Sequence, residues 1–513
     1  MANPIVETVY GKVQGITEDG LHIFKGIHYG ASTAGKNRFM PPQPPKPWAG
    51  IKEVTEYGPS CWQPPEGVTR MGFWGATGVE SMSEDCLMLN VWTKGLKDNG
   101  KRPVLVWIHG GGFRTESANH APFYNGASLA KTYDVVVVSV NHRLGVFGYL
   151  HLGEIFGEQY ATSGNNGMLD LVEALKWVRD NIARFGGNPG NVMIFGESGG
   201  GAKVSTLMAM PAAKGLFHHA IVQSGPGLRV KTSEDATLCA REFLDVVHVT
   251  PQRTNWLHEM KPYVIYLAWM SLSQGAERAG GDMSPVVDGK IIPAHPFDPV
   301  ASPTAANVPL VIGTNKDEWL FMMMRDPLFG KYDEAQMRQR VVSTLSQRLN
   351  DKVATERADD LIAGYRRTRP GATPHDILAA IGSDRMRIAS VRLAERKAAG
   401  GSAPVYMYLF TWESEVSRGQ LKSAHSFEIP FAFNYMNDPS ILFLGNRPER
   451  LKLAATMSGA WVAFAKSGDP NHTGLAKWPT YNKNDRATMM FNIESKVEND
   501  PFGEERKLWD GII

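Results

Sequence analysis

Short runs of branched and aromatic residues alternate along this chain with longer stretches whose apolar positions return every three or four residues. That alternation predicts parallel strands buried on both faces and joined by crossover helices. The predicted strands are "VLVWIH" (104–109), "VVVVSVN" (135–141), "VMIF" (192–195), "AIVQSG" (220–225), "PLVIGTN" (309–315) and "VYMYLF" (405–410). Between them, "GMLDLVEALKWVRDNIARF" (167–185) sets Leu169, Val172, Leu175 and Val178 on one face, which predicts an amphipathic crossover helix. The amino-terminal "MANPIVETVYGKVQG" alternates apolar and polar residues and predicts a first strand. The fold class is α/β, with a large, mostly parallel central sheet and helices on both faces.

Prolines in "MPPQPPKPW" (40–48) and breakers across 280–299 forbid regular interiors there, yet neither stretch has the composition of a flexible linker. Residues 330–400 are charged and helix-rich and predict a peripheral helical insertion. No repeat or low-complexity tail interrupts the pattern, so residues 1–513 are expected to form one elaborated α/β domain.

Composition removes some functions. Lys and Arg total 54 against 52 Asp and Glu, so no general field draws the protein to nucleic acid or to an anionic membrane. No apolar stretch approaches the ~20 residues that span a bilayer. The amino terminus lacks the basic start and apolar run of an export signal; a native terminus implies the cytoplasm, and a trimmed one secretion or the periplasm. Three cysteines, Cys61, Cys86 and Cys239, are too few for a disulfide scaffold of this size.

The chemistry concentrates in "IFGESGGGAK" (194–203), where Gly196, Ser198 and Gly200 form G-x-S-x-G between a predicted strand and a helix of small residues. This is the context of a nucleophile elbow, whose serine takes a strained backbone that neighbouring side chains would obstruct. A phosphate loop is the rival reading, but Ala202 separates Gly201 from Lys203 and the G-K-[ST] step is missing. Upstream, "HGGGF" (109–113) follows a strand, and the amides of Gly111, Gly112 and Gly199 would make a three-donor oxyanion hole. A serine nucleophile needs a base and an acid to orient it, in the order serine, acid, histidine. "KDEW" offers Asp317 and Glu318 at the end of a strand, a choice that spacing leaves open. Among His375, His425 and His472, the loop position of His425 after the last predicted strand favours it as the base.

These residues stand in ordered blocks that run almost end to end, among them "RFMPPQPPKPW", "SEDCLMLNVW", "HGGGF", "NHRLGVFGYL", "GNVMIFGESGGG", "GTNKDE" and "HSFEIPF". In them the chain resembles the type-B carboxylesterases of the carboxylesterase/cholinesterase family and, among bacterial members, is similar to para-nitrobenzyl esterases. The resemblance implies an α/β-hydrolase fold, Ser198 as nucleophile, Glu318 as acid and His425 as base. It matches Glu197 and Glu428 to acidic positions around the triad, Arg38 and Glu84 to a structural ion pair, and Cys61 and Cys86 to a pair that closes a loop in secreted relatives. His28, Gly30, Leu171, Gly199 and Trp319 depart from the family pattern. The expected reaction is hydrolysis of small to medium acyl or aryl esters through an acyl-enzyme, without cofactor or metal. The same triad would serve an amide, carbamate or lipid ester, and the same fold a non-catalytic interaction module. The partner is then a small-molecule ester, and the oligomeric state stays open. "GFWGATG" (72–78) and "EWLFMMM" (318–324) are the candidate pocket walls, although core packing is the commoner use of such residues.

Overall fold

The computed structural model describes residues 3–64, 80–273, 281–346 and 349–513. Fourteen strands are formed among them: β1 Ile5–Glu7, β2 Lys12–Gln14, β3 Ile16–Glu18, β4 Leu21–His28, β5 Ile51–Glu53, β6 Met88–Thr93, β7 Arg102–Ile108, β8 Val136–Val140, β9 Gly187–Glu197, β10 His219–Gln223, β11 Leu310–Asn315, β12 Val405–Phe410, β13 Ala487–Phe491 and β14 Lys496–Asn499. Eleven build one sheet in the order β14-β13-β12-β11-β10-β9-β7-β8-β6-β4-β3. From β13 to β8 all neighbours are parallel, and antiparallel strands close both edges. The protein has the α/β-hydrolase architecture.

The side-chain period of two divides this sheet between two cores. Val104, Val106, Val136 and Val138 point into one apolar cluster, while Leu105, Trp107 and Val137 point into the other. Because both faces are covered, these strands read as unbroken apolar runs, which made them legible. Strand β13, although parallel and buried, and the antiparallel β3, β4, β6 and β14 were not predicted: polar residues interrupt β4, β6 and β13, and β3 and β14 are only three and four residues long. The amino-terminal prediction needs correction: the segment makes two short strands, β1 and β2, which pair with each other and with β5 in a separate three-stranded sheet. Tyr10 and Gly11 turn the chain there, with the Thr8 N–H bonded to the Gly11 carbonyl at 2.9 Å.

The crossover helix α1 spans Asn166–Asn181 and buries Val172, Leu175 and Val178, with Leu169 at the margin, before a 3-10 turn over Ile182–Phe185. The other helices that position the site are α2 (Gly199–Leu207), α3 (Trp319–Met323), α4 (Glu334–Ser346), α5 (Asp351–Thr368), α6 (Pro374–Ala399) and α7 (Glu449–Ser467). Thr373 and Asp376 cap α6 reciprocally, and its Ile377, Ile381 and Ile388 share a core with Val311 and Tyr408 of the sheet. Among the described residues no helix is long and apolar enough to cross a membrane.

Candidate active site

The end of β9 is where the backbone does something costly. Ser198 sits at φ 55°, ψ −121°, a conformation that L-residues avoid, between the last strand residue and the first turn of α2. It is held from both sides: its N–H donates to the Gln223 carbonyl at 2.8 Å, and its carbonyl accepts from the Ala202 N–H at 3.1 Å. A Cβ at Gly200 would stand 2.1 Å from the Ile108 carbonyl oxygen, so the turn packs on the end of β7 in a way only glycine permits. The G-x-S-x-G pattern therefore records a close approach as well as a turn.

After β7, Gly111 and Gly112 adopt φ 70° and 63°. The Gly111 carbonyl accepts from the N–H groups of Arg114 and Thr115, at 3.1 and 3.0 Å. Across a trans peptide N–H and C=O point oppositely, which turns the Gly112 N–H away from those residues. Both glycines line the cavity that Ser198 opens into. The departure at Gly199 has a steric reason here: a methyl group on it would stand 2.2–2.3 Å from the Gly112 backbone. Glycine lets the upstream loop close against the elbow.

His425 lies in the loop after β12, which is tied to the end of β11 by the Asp317 N–H to Ser423 carbonyl bond (3.0 Å) and the Asn315 amide to Ala424 carbonyl bond (2.7 Å). Its Nδ1 donates to Glu318 Oε2 at 2.5 Å, while Glu318 Oε1 accepts from the Asn315 N–H at 2.7 Å. Of the two carboxylates that spacing left open, Glu318 faces the imidazole, while the Asp317 carboxylate accepts from the Ser423 N–H at 3.3 Å. The imidazole Nε2 faces Glu197 Oε1 at 3.2 Å, and the Ser426 hydroxyl donates to the same oxygen at 2.7 Å. No hydrogen bond joins Ser198 Oγ to His425 in this resting arrangement, although both line one cavity. Glu428 does not touch the imidazole; it receives Gln223 (3.2 Å) and the Asn315 amide (2.7 Å), while Trp461 of α7 donates to Gln223 at 3.0 Å. His375 lies in α6, where its Nδ1 accepts from Gly330, and His472 faces the Thr456 carbonyl, so neither reaches the cavity.

One imidazole thus stands among buried carboxylates. Burial disfavours its positive form, yet Glu197 and Glu318 outweigh burial and raise His425 to about 10. The Glu197 carboxyl is held well above its ordinary value, chiefly by burial, against the pull of His425. Burial and then Glu318 raise Glu428 to about 7. The surrounding carboxyl groups thus favour the positive form of the His425 imidazole.

The cavity above Ser198 measures about 400 Å³. Of the predicted wall 318–324, Phe321, Met322 and Met324 line it; Leu320 and Met323 join the core, and Trp319 packs its ring over Gly382 of α6, which explains that departure. The other predicted wall, 72–78, lies outside the described residues. Sequence reasoning missed Glu116, His120, Phe123, Tyr124 and Arg325, which also line the cavity. Glu116, His120, Phe123 and Tyr124 follow the "HGGGF" loop closely, so proximity to that motif was a usable signal.

The predicted ion pair is formed: Arg38 grips Glu84 through two bonds of 2.5 and 2.7 Å, both side chains buried. His28 pairs with Asp85 at 3.3 Å, a Cβ on Gly30 would stand 2.6 Å from the Leu87 side chain, and Leu171 is buried in the core. Cys61 and Cys86 are not bridged; both are buried free thiols, and Cys61 Sγ accepts from the Leu144 N–H at 3.3 Å.

Residues 2–509 match the profile of the carboxylesterase family. The chain is 36% identical to the para-nitrobenzyl esterase of Bacillus subtilis (strain 168) over 99% of its own length and 98% of that protein's. It is 33% identical to the phenmedipham hydrolase of Pseudarthrobacter oxydans, with 96% of each chain covered. A crystal structure of a Geobacillus stearothermophilus carboxylesterase superposes with a TM-score of 0.84 at 39% identity, covering 98% of this chain and 99% of the other. The chain belongs to the carboxylesterase family and is a serine carboxylic ester hydrolase.

Proposed function

We propose that this member of the carboxylesterase family hydrolyses small to medium acyl or aryl esters through an acyl-enzyme on Ser198, with the whole chain acting as one catalytic domain. The reading rests on one juxtaposition: Ser198, His425, Gly111 and Gly112 line a single cavity, and Glu318 holds His425 Nδ1 from below. Ser198 Oγ attacks the ester carbonyl while His425 Nε2, released from Glu197, takes the hydroxyl proton. The Gly111, Gly112 and Gly199 N–H groups receive the negative charge that develops on the carbonyl oxygen. His425 then protonates the departing alkoxide, and water repeats the sequence in reverse to free the acid and restore Ser198.

Glu197 accepts the imidazolium from the side opposite Glu318, and Glu428 keeps the ends of β10 and β11 in register beneath it. The cavity's apolar lining of Phe123, Phe321, Met322, Met324 and Ile429 supports a modest acyl or aryl group. The deciding experiment pairs wild type with Ser198→Ala. A fluorophosphonate should label the wild type at one site and leave the variant untouched, and ester turnover should fall by about 10⁴ or more. Near-normal hydrolysis by the alanine variant would remove Ser198 from the chemistry.

A further inference from the structure

Lys203 is the glycine-loop lysine that the reaction above leaves unused. It projects from α2 one turn beyond Ser198, is fully buried, and forms no ion pair among the described residues. Its ammonium donates to the His109 carbonyl at 2.9 Å and the Gly110 carbonyl at 3.1 Å, and stands 5.7 Å from the centre of the Phe113 ring. Burial pushes its pKa down to about 7, with Glu116 holding it up. A lone cation in such a place is a poor way to stabilise a fold, since an apolar side chain of the same length would avoid the desolvation.

What the ammonium touches matters more. The Gly110 carbonyl belongs to the same peptide unit as the Gly111 N–H, one of the proposed oxyanion donors. Since the two ends of that unit point oppositely, a bond to the carbonyl fixes the direction of the N–H, and a cationic donor polarises the unit and strengthens it. The same peptide lies beside two acidic side chains, since a Cβ on Gly110 would stand 3.2 Å from Glu116 Oε2 and 3.3 Å from Glu197 Oε2. We propose that Lys203 is a positioning residue for the ester reaction: it holds and polarises the Gly110–Gly111 peptide so that the Gly111 N–H meets the developing oxyanion. The inference rests on acylation at Ser198.

Lys203→Met removes both hydrogen bonds and keeps the side-chain length. Kinetics normalised to fluorophosphonate-titrated sites should show kcat down about tenfold to hundredfold, short of losing an oxyanion donor outright. KM should stay within about twofold, because the substrate carbonyl in its ground state leans little on that N–H. A trifluoromethyl ketone analogue of the same ester, whose hemiketal with Ser198 carries the oxyanion, should bind more weakly by the factor that kcat loses. Lys203→Gln, which retains one donor, should fall between, and carries the same test where the methionine variant does not fold. A purely structural lysine would lower the melting temperature or the titrated fraction while leaving kcat per site and ketone affinity unchanged, and that result overturns the proposal. A wild type that takes up no label at Ser198 would instead defeat the acyl-enzyme reading itself.

Discussion

The floor of the cavity and its rim are built by opposite means. On the floor, the elbow, the Gly111–Gly112 loop and the His425 loop hang from the carboxyl ends of parallel strands β7, β9, β11 and β12, and hydrogen bonds fix the Ser198 backbone, the Gly111 carbonyl, Glu318 and His425. On the rim, the short helix α3 sends Met322 into the cavity while leaving it 41% exposed, and Arg325 follows just beyond the helix. Rigid geometry is needed where charge develops, because a donor displaced by a fraction of an ångström loses most of its preorganised value. A flexible thioether suffices where only an apolar group is received. The groups on the floor hang from strand ends, whereas the rim helix α3 starts directly after Glu318 and brings Phe321 against the His425 ring, so only its outward residues such as Met322 stand clear of the floor.

That division can be broken most forcefully at Gly199. Alanine there brings a methyl group within 2.2–2.3 Å of the Gly112 backbone, so the loop or the elbow must move. We expect kcat to fall by about tenfold to hundredfold with fluorophosphonate labelling slowed in parallel, since one oxyanion donor is displaced. Wild-type turnover in this variant would mean that the floor is less rigid than its contacts imply.

A milder change tests the electrostatics. Glu197 stabilises the positive form of His425, so Glu197→Gln should lower the pKa of the imidazole. The base acts only when neutral, and activity is lost as pH falls through that pKa; the acid limb of the kcat/KM profile should therefore move to lower pH, by on the order of one unit. A shift to higher pH, or none, would show that Glu197 does not sense the imidazolium.

The smallest effect is expected at the rim. Met322→Ala should leave kcat on an acetate ester unchanged and alter KM by a few-fold, and only for longer acyl chains, with stability within about 0.5 kcal/mol of wild type. An equal loss on short and long esters would contradict the separation of chemistry from selectivity.

Legibility in the sequence follows the same line. Strands buried on both faces spell themselves as apolar runs, and the elbow announces itself because Gly200 must meet the Ile108 carbonyl at a distance no side chain allows. Spacing alone left Glu318 indistinguishable from Asp317; the family resemblance pointed to Glu318, and the β11 end places that carboxylate on His425 and Asp317 on Ser423. Strands β3 and β14 were illegible because three or four residues carry little periodic signal, and β4 and β6 because polar residues interrupt their apolar runs.

By itself the sequence determined the α/β class and the serine among its glycines, since apolar period and the G-x-S-x-G turn are both signals carried within a few residues of the chain. Only the tertiary structure decided that Glu197 and Glu428 have different neighbours, that Trp319 rests on Gly382, and that Lys203 lies under the Gly110 carbonyl. Those relations join positions tens to hundreds of residues apart, and a contact made by folding leaves no mark in the local order of the chain.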